Sequence, residues 1–333
     1  MRNALRCTFK GCRLLKNYGV WREKLFMTET ADKQARLAEL VAKVAEIPPL
    51  PSFIGQILKV AENPISSAED LNEIISRDPA LTAQLLKAAN SAFYGFPNKI
   101  GTVSLATIIL GFNMVKTIAL SSSMIKLFKK TDKATQLDPV QFWDHSLKCA
   151  VAAKTLAGHY KYVVGGEAFT AGILHDIGRV ALAHYAAPTY ERVTAYHREK
   201  GGYQIDAEVE ILGFNHAEFG GYLLKKWSLP PSITEAVMWH HQPLKAENAR
   251  ELVALTHLAN YLCHLAAVRK KVETEEPVLD RGVWEILERT EDEEKTLNVL
   301  LEAFDADLGK SQEFFRILHG EQEGKPHVSG ASK

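Results

Sequence analysis

The stretch SRDPALTAQLLKAANSAFYG, residues 76–95, decides the fold. Asp78 followed by Pro79 predicts a helix start, because an aspartate can cap free backbone N–H groups and proline fits the first helical position. Apolar residues at helical spacing then predict one buried face, formed by Leu81, Leu85, Leu86 and Ala89. The polar side chains of Asn90 and Ser91 can fix the turn that follows. We therefore expect a core helix here, with no catalytic residue of its own.

The segments on either side extend this helical pattern. Upstream, IPPLPS (residues 47–52) contains three prolines, which predict an extended link between helices. Downstream, IGTVSLATIILGFNMVKTIALSS (residues 100–122) predicts a second apolar helix, interrupted at Gly111. We expect its core-facing side chains to be those of Leu105, Ile108, Ile109, Val115, Ile118 and Leu120. Both helices are predicted to be scaffold.

Helical periodicity dominates the chain after residue 30, and no run alternates apolar and polar residues between turn signals. The sequence therefore predicts an all-α protein. Three residue pairs fit the capping-box pattern of a helix start, namely Ser66 with Glu69, Asp138 with Gln141 and Ser232 with Glu235.

Polar and charged stretches divide the chain into separate regions. We expect a basic leader over residues 1–28, a helical subdomain over 29–130 and a second helical subdomain over 138–267. Residues 268–319 are predicted to form two short amphipathic helices. Residues 320–333 are polar and rich in glycine, so we expect a disordered tail.

The charges are balanced overall but unevenly distributed. With 40 basic and 40 acidic side chains the formal net charge is zero, which argues against a surface devoted to polyanions. Residues 1–26, however, hold seven basic residues and one acidic residue. Because a helix-forming segment starts directly afterwards at Met27, we favour an upstream extension or a misplaced start codon for this leader. The alternative is an ordered basic arm that binds nucleic acid.

The remaining composition points to a cytoplasmic protein with reduced thiols. No apolar run approaches the ~20 residues that a membrane-spanning helix requires, so none is predicted. The four cysteines form no CxxC pair and are too scattered for a disulfide framework.

Histidine is the unusual feature of the composition, because ten of the twelve lie between residues 145 and 264. His175 and Asp176 lie within EAFTAGILHDIGRVALAHY (residues 167–185), which we predict to be a single helix with one buried face. Adjacent helical residues point about 100° apart, so the two side chains could converge on one ion beside the helix. Taken alone, the His175-Asp176 dipeptide could instead be a pair of exposed surface residues.

Four further histidines belong to the same region. His145 lies on a predicted helix, His216 opens another, and His240 with His241 ends a helix that Pro243 stops. Each histidine alone could be structural, but together with Asp176 they predict a metal site. Imidazole and carboxylate ligands suit Fe, Mn, Zn or Ni, and we expect no thiolate among them.

The order of these residues resembles the HD superfamily of metal-dependent phosphohydrolases. Its HD-GYP branch, the cyclic-di-GMP phosphodiesterases, has segments similar to HDIG (175–178), NHAEFGGYLL (215–224) and LPPSITEAVMWHH (229–241). The IPPLPS segment with residues 76–95 and 100–122 resembles the HD-related output domain, HDOD, more specifically. The resemblance covers roughly residues 40–265. It implies an HD-domain-like helical bundle with an N-terminal helical HDOD subdomain.

The resemblance also implies two metal positions. One ion would be held by His145, His175, Asp176 and Asn260. A second would use Asp176 as a bridge, with His216, His240 and His241. Asn260 stands where HD enzymes place an aspartate, so the position with His145 and His175 lacks one negative charge. We expect at least one transition metal ion, with Fe or Mn favoured over Zn.

Two further departures from the HD-GYP pattern concern phosphate recognition. Arg179 stands where that branch has a lysine, and QPLKAEN (residues 242–248) replaces its Gly-Tyr-Pro loop. Arginine clamps phosphate well but is not equivalent to lysine as a point charge or proton donor. Substrate recognition of the HD-GYP kind is therefore in question.

Two functions follow from the resemblance. We favour a bacterial signal-transduction output module that binds metal and acts through a signalling protein or a nucleotide-like ligand. The alternative is a metal-dependent phosphohydrolase acting on a nucleotide or cyclic dinucleotide, in which Asp176 bridges the ions and Arg179 steadies the phosphate. Neither a membrane nor a nucleic acid is expected as a partner. The sequence leaves the choice between output module and enzyme open.

Overall fold

Within the part of the chain that the structure describes, all regular secondary structure is helical. The all-α fold class predicted from the sequence is therefore confirmed. The computed structural model describes residues 52–63, 65–90, 98–112, 114–116, 118–119, 122–123, 137–162, 165–272, 277–287 and 292–319. The predicted leader (1–28), the prolines of the extended link (47–51) and the predicted tail (320–333) lie outside these residues.

The N-terminal part begins with four helices, α1 (Ser52–Glu62), α2 (Ala68–Ile75), α3 (Pro79–Ala89) and α4 (Val103–Leu110). As predicted, Asp78 caps α3, and its carboxylate accepts hydrogen bonds from the N–H groups of Ala80 and Leu81. Asn90 fixes the following turn, because its side chain bonds both the carbonyl and the N–H group of Ile100. This pairing holds the end of α3 beside the segment that leads into α4.

The buried face of α4 differs from the predicted one. Leu105 and Ile108 are exposed, whereas Val103, Ala106 and Leu110 are buried. The helix sequence VSLATIIL is apolar nearly all round, so spacing alone could not identify the face that packs on α2 and α3.

The second part contains the helices that carry the candidate site. They are α5 (Pro139–His159), α6 (Gly165–Leu174), α7 (Ile177–Tyr185), α8 (Ala187–Lys200), α9 (Gln204–Leu212), α10 (His216–Lys226), α11 (Pro231–Trp239) and α12 (Arg250–Arg269). A short 3-10 turn at Pro243–Lys245 separates the last two. At the centre, α5 packs along α6 and α12, while α10 contacts both α7 and α11.

The helix α12 is the one helix among the described residues that is long and apolar enough to cross a membrane. Within the protein, 67% of its apolar window is buried. It contacts α5, α6 and α11, so its hydrophobicity is explained by its position in the core.

The C-terminal region forms one short and one long helix, α13 (Gly282–Ile286) and α14 (Glu293–His319), rather than two short ones. The sequence predicted a break between two helices at the polar stretch DADLGK (residues 305–310). This stretch lies inside the single helix α14. This long helix packs on α5 and α12 and also reaches α3. The C-terminal helix therefore joins the N-terminal helices to the part that carries the candidate site.

The predicted single helix over residues 167–185 is two helices. α6 ends at Leu174, His175 and Asp176 form a turn, and α7 begins at Ile177. The His175 imidazole donates its Nδ1–H to the carbonyl oxygen of Gly172 at 2.8 Å. A side chain that bonds a nearby carbonyl in this way competes with the continuation of the helix.

The three predicted capping boxes have different outcomes. Asp138 caps α5 as a simple N-cap, and the box at α2 is shifted by one residue, to Ser67 with Asp70. Ser232 lies inside α11 and caps nothing there, because Pro230 holds the cap position. Glu235 accepts hydrogen bonds from the N–H groups of residues 247–249, which lead into α12.

Candidate metal centre

The turn at residues 175–176 places His175 in a fixed orientation. Because Nδ1 of this histidine donates to Gly172, Nε2 is left as the ring atom with a free lone pair. That Nε2 is buried and has no hydrogen-bond partner. Burial is the main cause that lowers the pKa of His175 to about 4, so the ring is neutral.

His240 repeats this arrangement at the end of α11. Its Nδ1–H donates to the carbonyl oxygen of Val237 at 2.7 Å, and its buried Nε2 has no hydrogen-bond partner. The carbonyl oxygen of His240 accepts a hydrogen bond from Nδ1 of His257 on α12 at 2.6 Å. His257, which the sequence did not single out, thereby fixes the end of α11 against α12.

His216 occupies the first position of α10, as predicted. Asn215 caps this helix through a capping box with Glu218. The carboxylate of Glu208 on α9 accepts two hydrogen bonds from His216, one from the backbone N–H at 2.8 Å and one from Nδ1 at 2.7 Å. No sequence pattern indicated Glu208, because the turn between α9 and α10 creates this contact.

The close approach of α7 and α10 brings His216 to Asp176. A Cβ atom on Gly178 would lie 2.0 Å from the carbonyl oxygen of His216, so only glycine fits at this position. Nε2 of His216 consequently lies 3.0 Å from Oδ1 of Asp176. Burial opposes protonation of His216, but the carboxylates of Glu208 and Asp176 outweigh it and raise its pKa to about 9.

Asp176 is the centre of the cluster. Its Oδ1 lies 3.5 Å from Nε2 of His175 and 3.6 Å from Nε2 of His240, in addition to the contact with His216. Its Oδ2 accepts a hydrogen bond from Nη1 of Arg179 at 3.0 Å. Burial acts to raise the pKa of Asp176, but the surrounding histidines and Arg179 together hold it well below its usual value. The carboxyl group is therefore ionised and available to a cation.

His241 completes the first group of possible ligands. Its Nε2 lies 3.1 Å from Nε2 of His216, and burial holds its pKa well below the usual range. The first group consists of four residues that each offer one ligand atom, namely Asp176, His216, His240 and His241. These four atoms lie within 4.8 Å of one another. Four nitrogen and oxygen ligands at this spacing suit a transition metal ion.

A second group lies beside the first and includes a residue that we did not predict. Nε2 of His145 on α5 lies 3.1 Å from Oδ1 of Asn260 on α12 and 3.4 Å from Sγ of Cys149. The ligand atoms of His145, Cys149 and His175 lie within 4.8 Å of one another. We expected no thiolate among the ligands, but the structure places the thiol of Cys149 in this group. Cys149 follows His145 by four residues, and this helical spacing is the sequence signal that could have identified it.

Arg179 is held by hydrogen bonds on both sides. One guanidinium nitrogen donates to Asp176, and Nη2 donates to Oε1 of Gln204 at 2.7 Å. Gln204 in turn donates to the hydroxyl of Tyr190 at 2.8 Å. In this arrangement Arg179 orients Asp176.

The donor set fits a divalent transition metal ion. His175 and His240 are fully buried, and each points an unpartnered Nε2 toward the same ionised carboxylate. A buried polar atom without a partner is costly, and a cation would satisfy both nitrogens together with Asp176. In metal sites, histidine ligands are oriented by a hydrogen bond from the ring nitrogen that does not bind the metal. His175 and His240 donate such a bond from Nδ1 to a backbone carbonyl, and His216 donates one to Glu208. A bound ion would supply positive charge that could neutralise a phosphate group.

Comparison with known proteins identifies relatives of the same architecture. A crystal structure of an HDOD domain protein of unknown function from Geobacter sulfurreducens superposes with a TM-score of 0.70 and 21% identity, over 85% of this chain and 99% of that one. A provisionally named phosphohydrolase from Shewanella amazonensis superposes with a TM-score of 0.66 and 27% identity, over 84% of this chain and 97% of that one.

An uncharacterised protein of Treponema pallidum (strain Nichols) is 26% identical over 239 residues, which is 70% of this chain and 44% of the relative. The chain thus matches less than half the length of that curated relative. The sequence profile of the HDOD domain matches residues 47–243, which include α1 to α11 and every predicted metal ligand except Asn260. On this match the chain belongs to the HDOD domain family.

Proposed function

We propose that this protein is a metal-binding regulatory output module of the HDOD type. The observation that carries the proposal is the pair of buried, unpartnered Nε2 atoms of His175 and His240 beside the ionised Asp176. The Nε2 of His240 belongs to the group with Asp176, His216 and His241, and His175 belongs to the adjacent group with His145 and Cys149. An ion in the first group would connect helix ends that are far apart in sequence, so its binding can change how the helices are held.

Two observations favour a regulatory role over catalysis. Arg179, the residue expected to steady a phosphate, already donates hydrogen bonds to Asp176 and Gln204. Asn260 supplies an amide where HD enzymes supply a carboxylate, so the position with His145 and His175 has less charge with which to hold an ion. We propose that the module acts in the cytoplasm, through a signalling protein or a nucleotide-like ligand.

A second candidate function is metal-dependent phosphoester hydrolysis. The specific observation in its favour is the complete group of Asp176, His216, His240 and His241. The similarity to the provisionally named phosphohydrolase of Shewanella amazonensis supports the same reading. In this role Asp176 would hold the ions, and Arg179 would have to release a hydrogen bond to contact the substrate.

Turnover assays separate the two functions. Purified full-length protein would be supplied with Mn²⁺ or Fe²⁺ and assayed with bis(p-nitrophenyl) phosphate and with cyclic dinucleotides. We expect metal to bind and the wild type to turn over no faster than an Asp176→Ala variant. Hydrolysis by the wild type that disappears in Asp176→Ala, but persists in the exposed control Asp206→Ala, would establish the enzyme instead.

A further inference from the structure

The second group of side chains contains a thiol in ligand position. His145 and Cys149 are four residues apart on α5, so both side chains lie on the same face of the helix. Sγ of Cys149 lies 3.4 Å from Nε2 of His145 and 3.9 Å from Oδ1 of Asn260. The fully buried Nε2 of His175, which has no hydrogen-bond partner, lies within the same group.

Of the three side chains in this group, Cys149 is the one that can supply a negative charge. The ring nitrogens of His145 and His175 belong to this group, and a neutral imidazole ligand brings no negative charge. Asn260 is an amide and carries no charge. The carboxylate of Asp176 already contacts His216 through Oδ1 and Arg179 through Oδ2. A cation placed beside His145, Cys149 and His175 could therefore gain further negative charge from the sulfur of Cys149.

We propose that Cys149 is a thiolate ligand that replaces the charge missing at Asn260, in a metal position completed by His145 and His175. This inference deepens the proposed function, because it names the chemistry of a second ion in the same centre. When the ion binds, the S–H bond breaks, the proton passes to solvent and sulfur donates an electron pair to the ion. A thiolate is a soft ligand, so this position favours Fe²⁺ or Zn²⁺ over Mn²⁺.

Cobalt substitution tests the proposal, because a thiolate bound to Co²⁺ gives an intense charge-transfer absorption in the near ultraviolet. Full-length protein carrying Cys7→Ser and Cys12→Ser would be titrated with Co²⁺, alone and with Cys149→Ser or Cys263→Ser added. Cys263 is the matched control, since it is also buried and lies beside Cys149. We expect the absorption in the parent and in Cys263→Ser, and its loss in Cys149→Ser together with loss of the second cobalt ion.

The same variants test the metal preference. We expect Cys149→Ser to weaken zinc binding at the position with His145 and His175 by at least ~10-fold, while Mn²⁺ binding changes little. A measurement on the wild type does not depend on any variant folding. X-ray absorption of the zinc-loaded protein should show a Zn–S distance of about 2.3 Å.

The outcomes distinguish this inference from the proposed function. Two bound cobalt ions without the sulfur absorption, or a zinc spectrum without a sulfur shell, would overturn the role of Cys149 and leave metal binding intact. Retention of the absorption in Cys149→Ser would overturn it as well. Absence of any bound metal would overturn the proposed metal-binding module itself.

Discussion

At the scale of single residues, the cluster depends on groups that hold its histidines in one orientation. His175 and His240 each donate Nδ1–H to the carbonyl of the residue three positions earlier. His216 donates its Nδ1–H to Glu208 instead, so this histidine is oriented by a charged carboxylate and not by a backbone carbonyl. Because Nδ1 is occupied in all three rings, each presents Nε2 toward Asp176.

Replacing Glu208 by glutamine should weaken metal binding although Glu208 is not itself a predicted ligand. Glutamine can still accept the hydrogen bond from Nδ1 of His216. The substitution removes the negative charge, however, and this charge makes Nε2 of His216 a stronger electron-pair donor to a metal ion. We expect the metal affinity of the group Asp176, His216, His240 and His241 to fall by about 10–100-fold, measured by competition with a chromophoric chelator. Glu210→Gln, on the exposed face of the same helix α9, is the matched control and should bind as the wild type does. Equal affinities of the two variants would show that Glu208 does not act through His216.

At the scale of helices, several of the predicted ligands lie where helices end or begin, whereas His145 and Asn260 lie inside helices. His175 and Asp176 occupy the turn between α6 and α7, His216 begins α10, and His240 follows α11. Gly178 at the start of α7 allows the backbone of α10 to approach closely enough for His216 to reach Asp176. The chemistry of the centre therefore depends on the spacing of two helices as much as on the ligands.

Substituting Gly178 by alanine should destabilise the protein and move His216 away from Asp176. The new Cβ would lie 2.0 Å from the carbonyl oxygen of His216 and 2.9 Å from the backbone nitrogen of Gly220, and neither atom can move without shifting α10. We expect a loss of about 1–3 kcal/mol or more in the free energy of unfolding, measured with urea.

The control for this substitution is Gly309→Ala. Gly309 lies inside α14, and its new Cβ would have no neighbour within 4 Å. Alanine is the better helix former, so the free energy of unfolding should rise by about 0.5–1 kcal/mol. A loss at Gly309 as large as that at Gly178 would contradict the explanation by close helix approach.

At the scale of the whole molecule, the centre connects distant parts of the chain. Its side chains come from α5, the α6–α7 turn, α10, the end of α11 and α12. The long helix α14 then packs on α5 and α12 and reaches α3 in the N-terminal part. A bound ion would therefore stabilise the packing of most of the second part, and α14 offers a physical connection from there to the N-terminal helices.

Metal removal should lower the thermal stability of the protein. An ion that binds only the folded state, at a free concentration 100 times its dissociation constant, contributes about 2.7 kcal/mol. For a domain of this size we expect the melting temperature to fall by roughly 5 °C when the metal is removed with a chelator. The Asp176→Ala variant should melt at the same temperature with and without metal. An unchanged melting temperature of the wild type would show that the ion does not hold these helices together.

The sequence by itself determined the all-α class, the N-cap at Asp78 and the residue types of the candidate centre. Those features depend on local periodicity, on capping chemistry and on motifs, which are all readable along the chain. The helix start at His216 also followed from the sequence, and Pro243 indicated a helix end near His240 and His241, which the structure places at Trp239.

Only the tertiary structure decided which face of α4 is buried, that the helix breaks at His175 and that α14 is continuous. It also added Glu208 to the centre. The physical reason is that each of these features depends on contacts between segments. An apolar helix has no preferred face until a neighbour packs on it, and an orienting carboxylate acts only where the fold places it beside a ring.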